Sequence, residues 1–475
     1  MILSYLTFLF LFILSFFPVS SWSYGVVGNP QTFLPNLAVS DSEKTVSNIV
    51  FRRLVNVDYK TGEIQKDLLE DYRILENGKV YELTLKKNQY WQDGVPIMAD
   101  DLLYTASVSG NLREVSSDKI NDYTVRFNLP QNYSPFLSIL NIAVLPSHLA
   151  DKNSSSMPVG SSDYRITQVK TDRNEIKEVT LMTLNKNLPF SKITIKFYKD
   201  EENLILGAKQ FEINGFLLNR KDNFENFTSQ ILPYYSRAYL LIFNSEKTYL
   251  TKDVRKKIAQ SLNLKSLIED QVYPAAIVPN GPFSGTWAQS SNYIKEQFAP
   301  SQIKLDKPLK IVAPNIRQAR LVGENIKEQL LVNSGLQVSL SFIDDVANFK
   351  VKVREDDYDA ILMAQEYGVD PDRYVFWHSS QNKKGLNYSN FSSIRLDKSL
   401  EEGREELTIE KRKSHYNIFQ SVFSEEYPAI YLLHPAQYFY YTKNLKSPML
   451  QNTFYPYEIF DYLSKWQLQQ NPTVF

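Results

Sequence analysis

Between Leu309 and Met363 the apolar period of the chain changes three times. Leu309-Lys310-Ile311-Val312-Ala313 is a short apolar run stopped by Pro314, which reads as a buried strand. Ile316, Ala319, Gly323, Ile326 and Leu330 then share one face of a 3.6-residue helix. Val338, Leu340 and Phe342 alternate as a strand, and Asp359-Ala360-Ile361-Leu362-Met363 supplies another. Strand, helix and strand in that order imply parallel pairing, because parallel neighbours need a long crossover and hairpins do not. The later part of the chain therefore contains an α/β unit.

Before this unit the pattern is different. Val80-Tyr81-Glu82-Leu83-Thr84-Leu85 and Tyr123 to Leu129 alternate with period two, as half-buried strands do. Gln92-Asp93-Gly94-Val95-Pro96 is a tight turn, and Asp100 or Asp101 stands where a helix carrying Leu102, Leu103 and Tyr104 would be capped. Ser-rich residues 151–162, with Pro158 and Gly160, read as a domain crossing. Further strands follow at Ile193–Phe197 and Tyr239–Phe243. Thr251 caps a helix bearing Val254 and Ile258, and a last long helix begins near Thr408. At 475 residues the chain has room for two to four such domains.

The chemistry available is narrow. Lys and Arg number 53 against 53 Asp and Glu, a balance that argues against a general nucleic-acid binder. With no Cys, disulfides, thiolate metal sites, Cys nucleophiles and attachment of lipid to an N-terminal Cys are excluded. Only four His occur, at 148, 378, 415 and 434, and none is spaced for a zincin helix. No phosphate loop, dinucleotide fingerprint or nucleophile elbow is present, so the chain reads as a non-enzyme without cofactor or metal. Residues 1–22 begin with an uncharged apolar run to Val19, closed by Pro18 and followed by Ser20, Ser21 and Ser23, so they read as a cleaved signal or an uncleaved anchor. Either places the rest of the chain outside the cytoplasmic membrane, periplasmic or on its extracellular face.

Several stretches, in order, resemble extracellular solute-binding proteins of family 5, the oligopeptide- and dipeptide-binding components of ABC importers. Gly28 to Pro35 resembles the family opening. Tyr81 to Leu102, YELTLKKNQYWQDGVPIMADDL, resembles its strand, basic pair and Asp-Gly-x-Pro signature, with Met98 where a Thr or Ser is usual. Pro158 to Tyr164, Phe243-Asn244, Asp253 to Ala259, Tyr358-Asp359-Ala360, Gly368 to Asp372, Asn387 to Asn390, Leu396-Asp397 and Glu426 to Leu432 continue the series.

The resemblance implies an α/β, three-lobed, type II periplasmic-binding-protein fold that closes about a hinge and carries an inserted extra domain. Domain I would comprise 23–44, 163–245 and 443–475, domain II the insertion 45–162, and domain III residues 246–442. The implied function is capture of a peptide by a monomer that delivers it to a permease with its ATPase; the alternatives are a non-peptide solute on the same fold, or a sensory or surface protein that has lost transport. Ligand would meet Gln31, Thr32 and Phe33, then Phe216 and Tyr239, and the backbone of Met363, Ala364 and Gln365. Trp287 and Trp377 stand as pocket walls or as core, and Tyr239 as pocket or core. One departure matters. Peptide-binding members usually carry an Asp three residues before the Asp-Pro pair, for the ligand's amino group; here that position is Tyr367, with Glu366 beside it. A weakened demand for a free amino terminus is the expectation.

Overall fold

The computed structural model of the chain describes residues 20–468, apart from 113–114, 269–272, 274, 292, 294–296, 356, 384, 447–449 and 451–452. The signal or anchor reading therefore falls outside the described residues as far as position 19. Ser21 and Trp22, the last part of that segment, stand in the first strand, Ser21–Val27, where Trp22 is buried. No helix among the described residues is long and apolar enough to cross a membrane.

Among the described residues a sheet of 12 strands runs through the molecule. The expected β-α-β unit forms one end of it. Leu309–Pro314 lies parallel to Val338–Ile343, joined by the helix Arg317–Ser334. That helix stops at Gly335, whose φ of 68° is left-handed and lets its N–H turn back to the Leu331 carbonyl. Ala360–Glu366 flanks Leu309–Pro314 on the other side, and Arg237–Phe243 pairs antiparallel with it. Both faces of Arg237–Phe243 are covered. Tyr239, Leu241 and Phe243 enter one core, while Ala238, Leu240 and Ile242 enter another, so its sequence is continuously apolar.

The strand Ala429–Thr442 links this end to the rest. Its first residues pair with Arg237–Phe243, and its last pair with Gly215–Leu218 and Phe227–Pro233. Ser21–Val27, Lys192–Tyr198, Glu175–Met182 and Arg165–Asp172 complete the sheet beyond it. Trp22, Phe190, Phe460 and Trp466 pack against one another there, so the tail closes over the first strand.

The insertion builds a separate sheet from Leu69–Leu75, Val80–Leu85, Thr124–Asn128 and Ser116–Asn121. Its helix spans Ala99–Val108, so Met98 and neither Asp100 nor Asp101 occupies the capping position. Asp101 serves from inside the first turn instead. Its buried carboxylate accepts the Met98 N–H at 2.8 Å, the Trp91 indole at 3.2 Å, and the Ser147 N–H and hydroxyl at 2.7 and 2.8 Å. One carboxylate thus ties the signature turn, the helix and the return segment together. Asp101→Ala would leave these donors unpaired, with an expected loss of about 3 kcal/mol, read from the urea midpoint of unfolding.

Candidate functional site

Where Ala360–Glu366 ends, three stretches of the chain meet. The Tyr367 N–H donates to the Ser236 carbonyl at 2.7 Å and extends the ladder by one residue. Val369 then packs with Tyr59 of the insertion and Phe454 of the tail. The Tyr455 hydroxyl donates to the Tyr367 carbonyl at 3.4 Å, and the Trp287 N–H to the Tyr59 carbonyl at 2.9 Å. These contacts hold the turn 367–373 at the junction.

Two acids and three arginines decide the electrostatics of this turn. Asp370 is buried and takes a two-pronged contact from Arg412, at 2.9 and 2.7 Å, with the Ser138 hydroxyl adding a third at 3.1 Å. Burial works against the Arg412 charge, but Asp370 and the Tyr416 hydroxyl outweigh it and raise its pKa. Asp372 accepts from Arg404 at 2.8 Å and from the Tyr133 hydroxyl at 3.4 Å. Arg373, only 2% exposed, pairs with no carboxylate among the described residues. Its Nη1 donates weakly to the Asp370 and Asp372 carbonyls at 3.5 and 3.4 Å, and its Nε–H has no partner. The guanidinium lies 3.9 Å over the Tyr367 ring and 5.5 Å from Phe283. Ring faces offset part of the cost of a buried cation.

The Tyr367 hydroxyl joins Gln365 Oε1 at 2.8 Å and the Tyr431 hydroxyl at 3.3 Å. Burial raises the pKa of both phenols, so they act as neutral groups. His434 is pushed down to about 4, chiefly by burial and further by the Arg373 charge. Its Nδ1 lies 2.7 Å from the Arg237 carbonyl and must carry the proton there, while Nε2 has no partner.

The structure brings several expected residues together at this junction and leaves others apart. Gln365, Tyr367 and Trp377 gather around Tyr431, and Trp287 joins them through Tyr416 and Phe283. Met363 and Ala364 are half-buried on the same strand. Glu366 is exposed and ion-paired with Arg237, across the ladder. Tyr239, opposite Ala364 in register, points into the core on the other face. Phe216 is fully buried, stacked on Tyr440 at 5.1 Å within a separate cluster. Gln31, Thr32 and Phe33 lie in a loop after the first strand. There the Gln31 N–H donates to Glu43, the Phe33 N–H to the Ser155 carbonyl, and Phe33 stacks on Phe197.

Arg373, Arg404, Arg412, Tyr431 and His434 were not singled out from the sequence. The available signal was the Arg directly after Asp370-Pro371-Asp372, a cation whose neighbouring acids are committed elsewhere.

Comparison with known proteins places these features in context. Residues 63–387 match the family described as bacterial extracellular solute-binding proteins, family 5 middle. The oligopeptide-binding protein AppA of Bacillus subtilis is 23% identical, over 94% of this chain and 91% of its own. Its structure in complex with a nonapeptide superposes with a TM-score of 0.67 at 20% identity, covering 95% of this chain and 99% of that one. The ABC transporter substrate-binding protein CtaP of Listeria monocytogenes gives a TM-score of 0.77 at 21% identity, with the same coverage. The fold is thus the three-lobed, type II binding-protein fold, with the large curled sheet described above.

The His434 environment sets a pH dependence. With its folded pKa near 4 and the usual value near 6.5, the unfolded chain binds the extra proton between those pH values. Stability is therefore full above about pH 6.5 and falls by about 3 kcal/mol as pH drops through 4. Denaturant titrations from pH 7 to 4 should show this slope, and His434→Gln should flatten it.

Proposed function

This chain belongs to the bacterial extracellular solute-binding proteins of family 5, and from that premise we propose that it captures peptides outside the cytoplasmic membrane for an ABC importer. The observation that carries the reading is an open strand edge at the junction. Among the described residues, Ala360–Glu366 pairs with Leu309–Pro314 at Ala360 and Ile361, and the edge from Leu362 to Glu366 has no strand partner on that side. An extended peptide can add there by main-chain hydrogen bonds, with its side chains in the surrounding aromatic space. Met363, Ala364 and Gln365 supply that edge. Tyr367, Trp377 and Trp287 supply the walls.

Closure would bend two adjoining segments, 233–237 and 434–437, which cross side by side between the two ends of the sheet. Tyr234 and Pro435 are hydrogen-bonded there, so both segments must flex as a pair. On this reading the expected division, 23–44 with 163–245 and 443–475, the insertion 45–162, and 246–442, has its two crossings shifted to these segments. The ladder Arg237–Phe243 moves with residues 246–442. The loaded monomer would present its ligand to a permease and its ATPase. Tyr367 in place of an acid, and Glu366 already held by Arg237, favour peptides without a free amino terminus, or a non-peptide solute as the second reading.

Native mass spectrometry of the protein purified without unfolding tests the reading. Peptides of mixed sequence are the expected co-purified solutes. A sugar or metal chelate as the sole bound species would overturn it.

A further inference from the structure

Arg373 is a buried cation without a carboxylate partner among the described residues. Its two nearest acids in sequence, Asp370 and Asp372, are occupied by Arg412 and Arg404. Its Nη1 is spent on two backbone carbonyls, which leaves the Nε edge of the guanidinium unused. A buried charge without a counter-charge is expensive, and the ring faces of Tyr367 and Phe283 offset only part of that cost.

Other unspent donors border the same ring. Gln365, 3% exposed, turns its Oε1 to the Tyr367 hydroxyl and leaves its Nε2 without a partner. Trp377, 1% exposed, faces the Tyr431 hydroxyl with its indole N–H, without a completed hydrogen bond. Tyr431 in turn sits 3.3 Å from the Tyr367 hydroxyl. Arg373 and Gln365 therefore set unspent donors against Tyr367, and Trp377 sets a third against its neighbour Tyr431. Neutral ligands could satisfy the amide and the indole, but only an anion neutralises the guanidinium. The side-on edge of a guanidinium matches the two oxygens of a carboxylate.

We propose that Arg373, with Gln365 and Trp377, receives a carboxylate of the bound solute beside the open edge of Ala360–Glu366. This rests on the peptide-capture reading above and adds the charge of the ligand group that lies against Tyr367. With the amino end of the peptide set against Tyr367, as the family resemblance implies, that end carries an acidic group in place of an ammonium.

Three pools of random tetra- to octapeptides, alike except for a free, acetylated or succinylated amino end, test this by calorimetric titration of the full chain. The succinyl pool should bind at least about tenfold more tightly than the acetyl pool, the size of one charge-assisted contact, and the free-amine pool most weakly. Arg373→Gln should erase the difference between succinyl and acetyl. Equal binding of those two pools by the unaltered protein, or preference for the free amine, overturns the carboxylate site and leaves peptide capture standing. That comparison needs no variant, so a misfolded Arg373→Gln would not shelter the proposal. If no pool binds, peptide capture falls, and glutarate then decides the site. Binding of glutarate that Arg373→Gln abolishes supports the site, and no binding overturns it.

Discussion

The rest of the structure hangs on one strand that changes partners midway. Ala429–Thr442 is 14 residues long, and nearly all of it is buried. Its first part completes a sheet with Arg237–Phe243, and its last part holds Gly215–Leu218 and Phe227–Pro233. Main-chain ladders tolerate no gap in a buried place, because each lost pair strands a donor and an acceptor. The strand therefore fixes how both ends of the sheet are oriented. The chain's wealth of aromatics follows from the same constraint. Tyr431, Phe439, Tyr440 and Tyr441 stand on this strand and pack into different cores, where one large ring fills space that two aliphatic residues would otherwise need.

Beside that strand, the turn 367–373 inverts a simple charge count. The segment Asp370-Pro371-Asp372-Arg373 carries net negative charge in sequence, yet the surroundings of Arg373 do not. Arg412 and Arg404 come from the two C-terminal helices, Ile409–Glu426 and Ile394–Glu405, and neutralise both acids. Ser138 and Tyr133 reach the same acids, so the neutralised turn is also tied to the segment 133–138. Exposed ion pairs contribute little, but a buried two-pronged Arg–Asp contact leaves a large penalty when either partner is removed.

Much of the fold was legible because it depends on period and on local stops. The β-α-β unit, the Thr251 cap and the long helix after Thr408 all arise from patterns within a window of about 20 residues. Thr251 does accept the Val254 N–H, and the helix does begin at Ile409. The helix at Ala99 was placed but its cap was misassigned, since Asp101 gains its role from Trp91 and Ser147, ten and 46 positions away. The junction was less legible for the same reason. Whether Trp377 or Phe216 faces a ligand or a core depends on which distant ring arrives against it, Phe423 in one case and Tyr440 in the other. The state of Arg373 depends on partners of its neighbours 32 and 42 residues further on.

These two constraints act on the same small region. The turn that carries Arg373 is clamped through Val369 by Tyr59 and Phe454 from the neighbouring segments, so in the proposed closure the guanidinium would be buried as they meet. Water solvates a guanidinium well in an open cleft and poorly between packed rings. A closed form without a counter-charge must bear that desolvation, whereas a closed form holding an anion does not. A ligand shifts a conformational equilibrium only by its differential affinity for the two states. The cation over Tyr367 supplies such a difference without any contact to a peptide side chain. Discrimination by charge at one end of the ligand can therefore coexist with an open strand edge that reads no sequence.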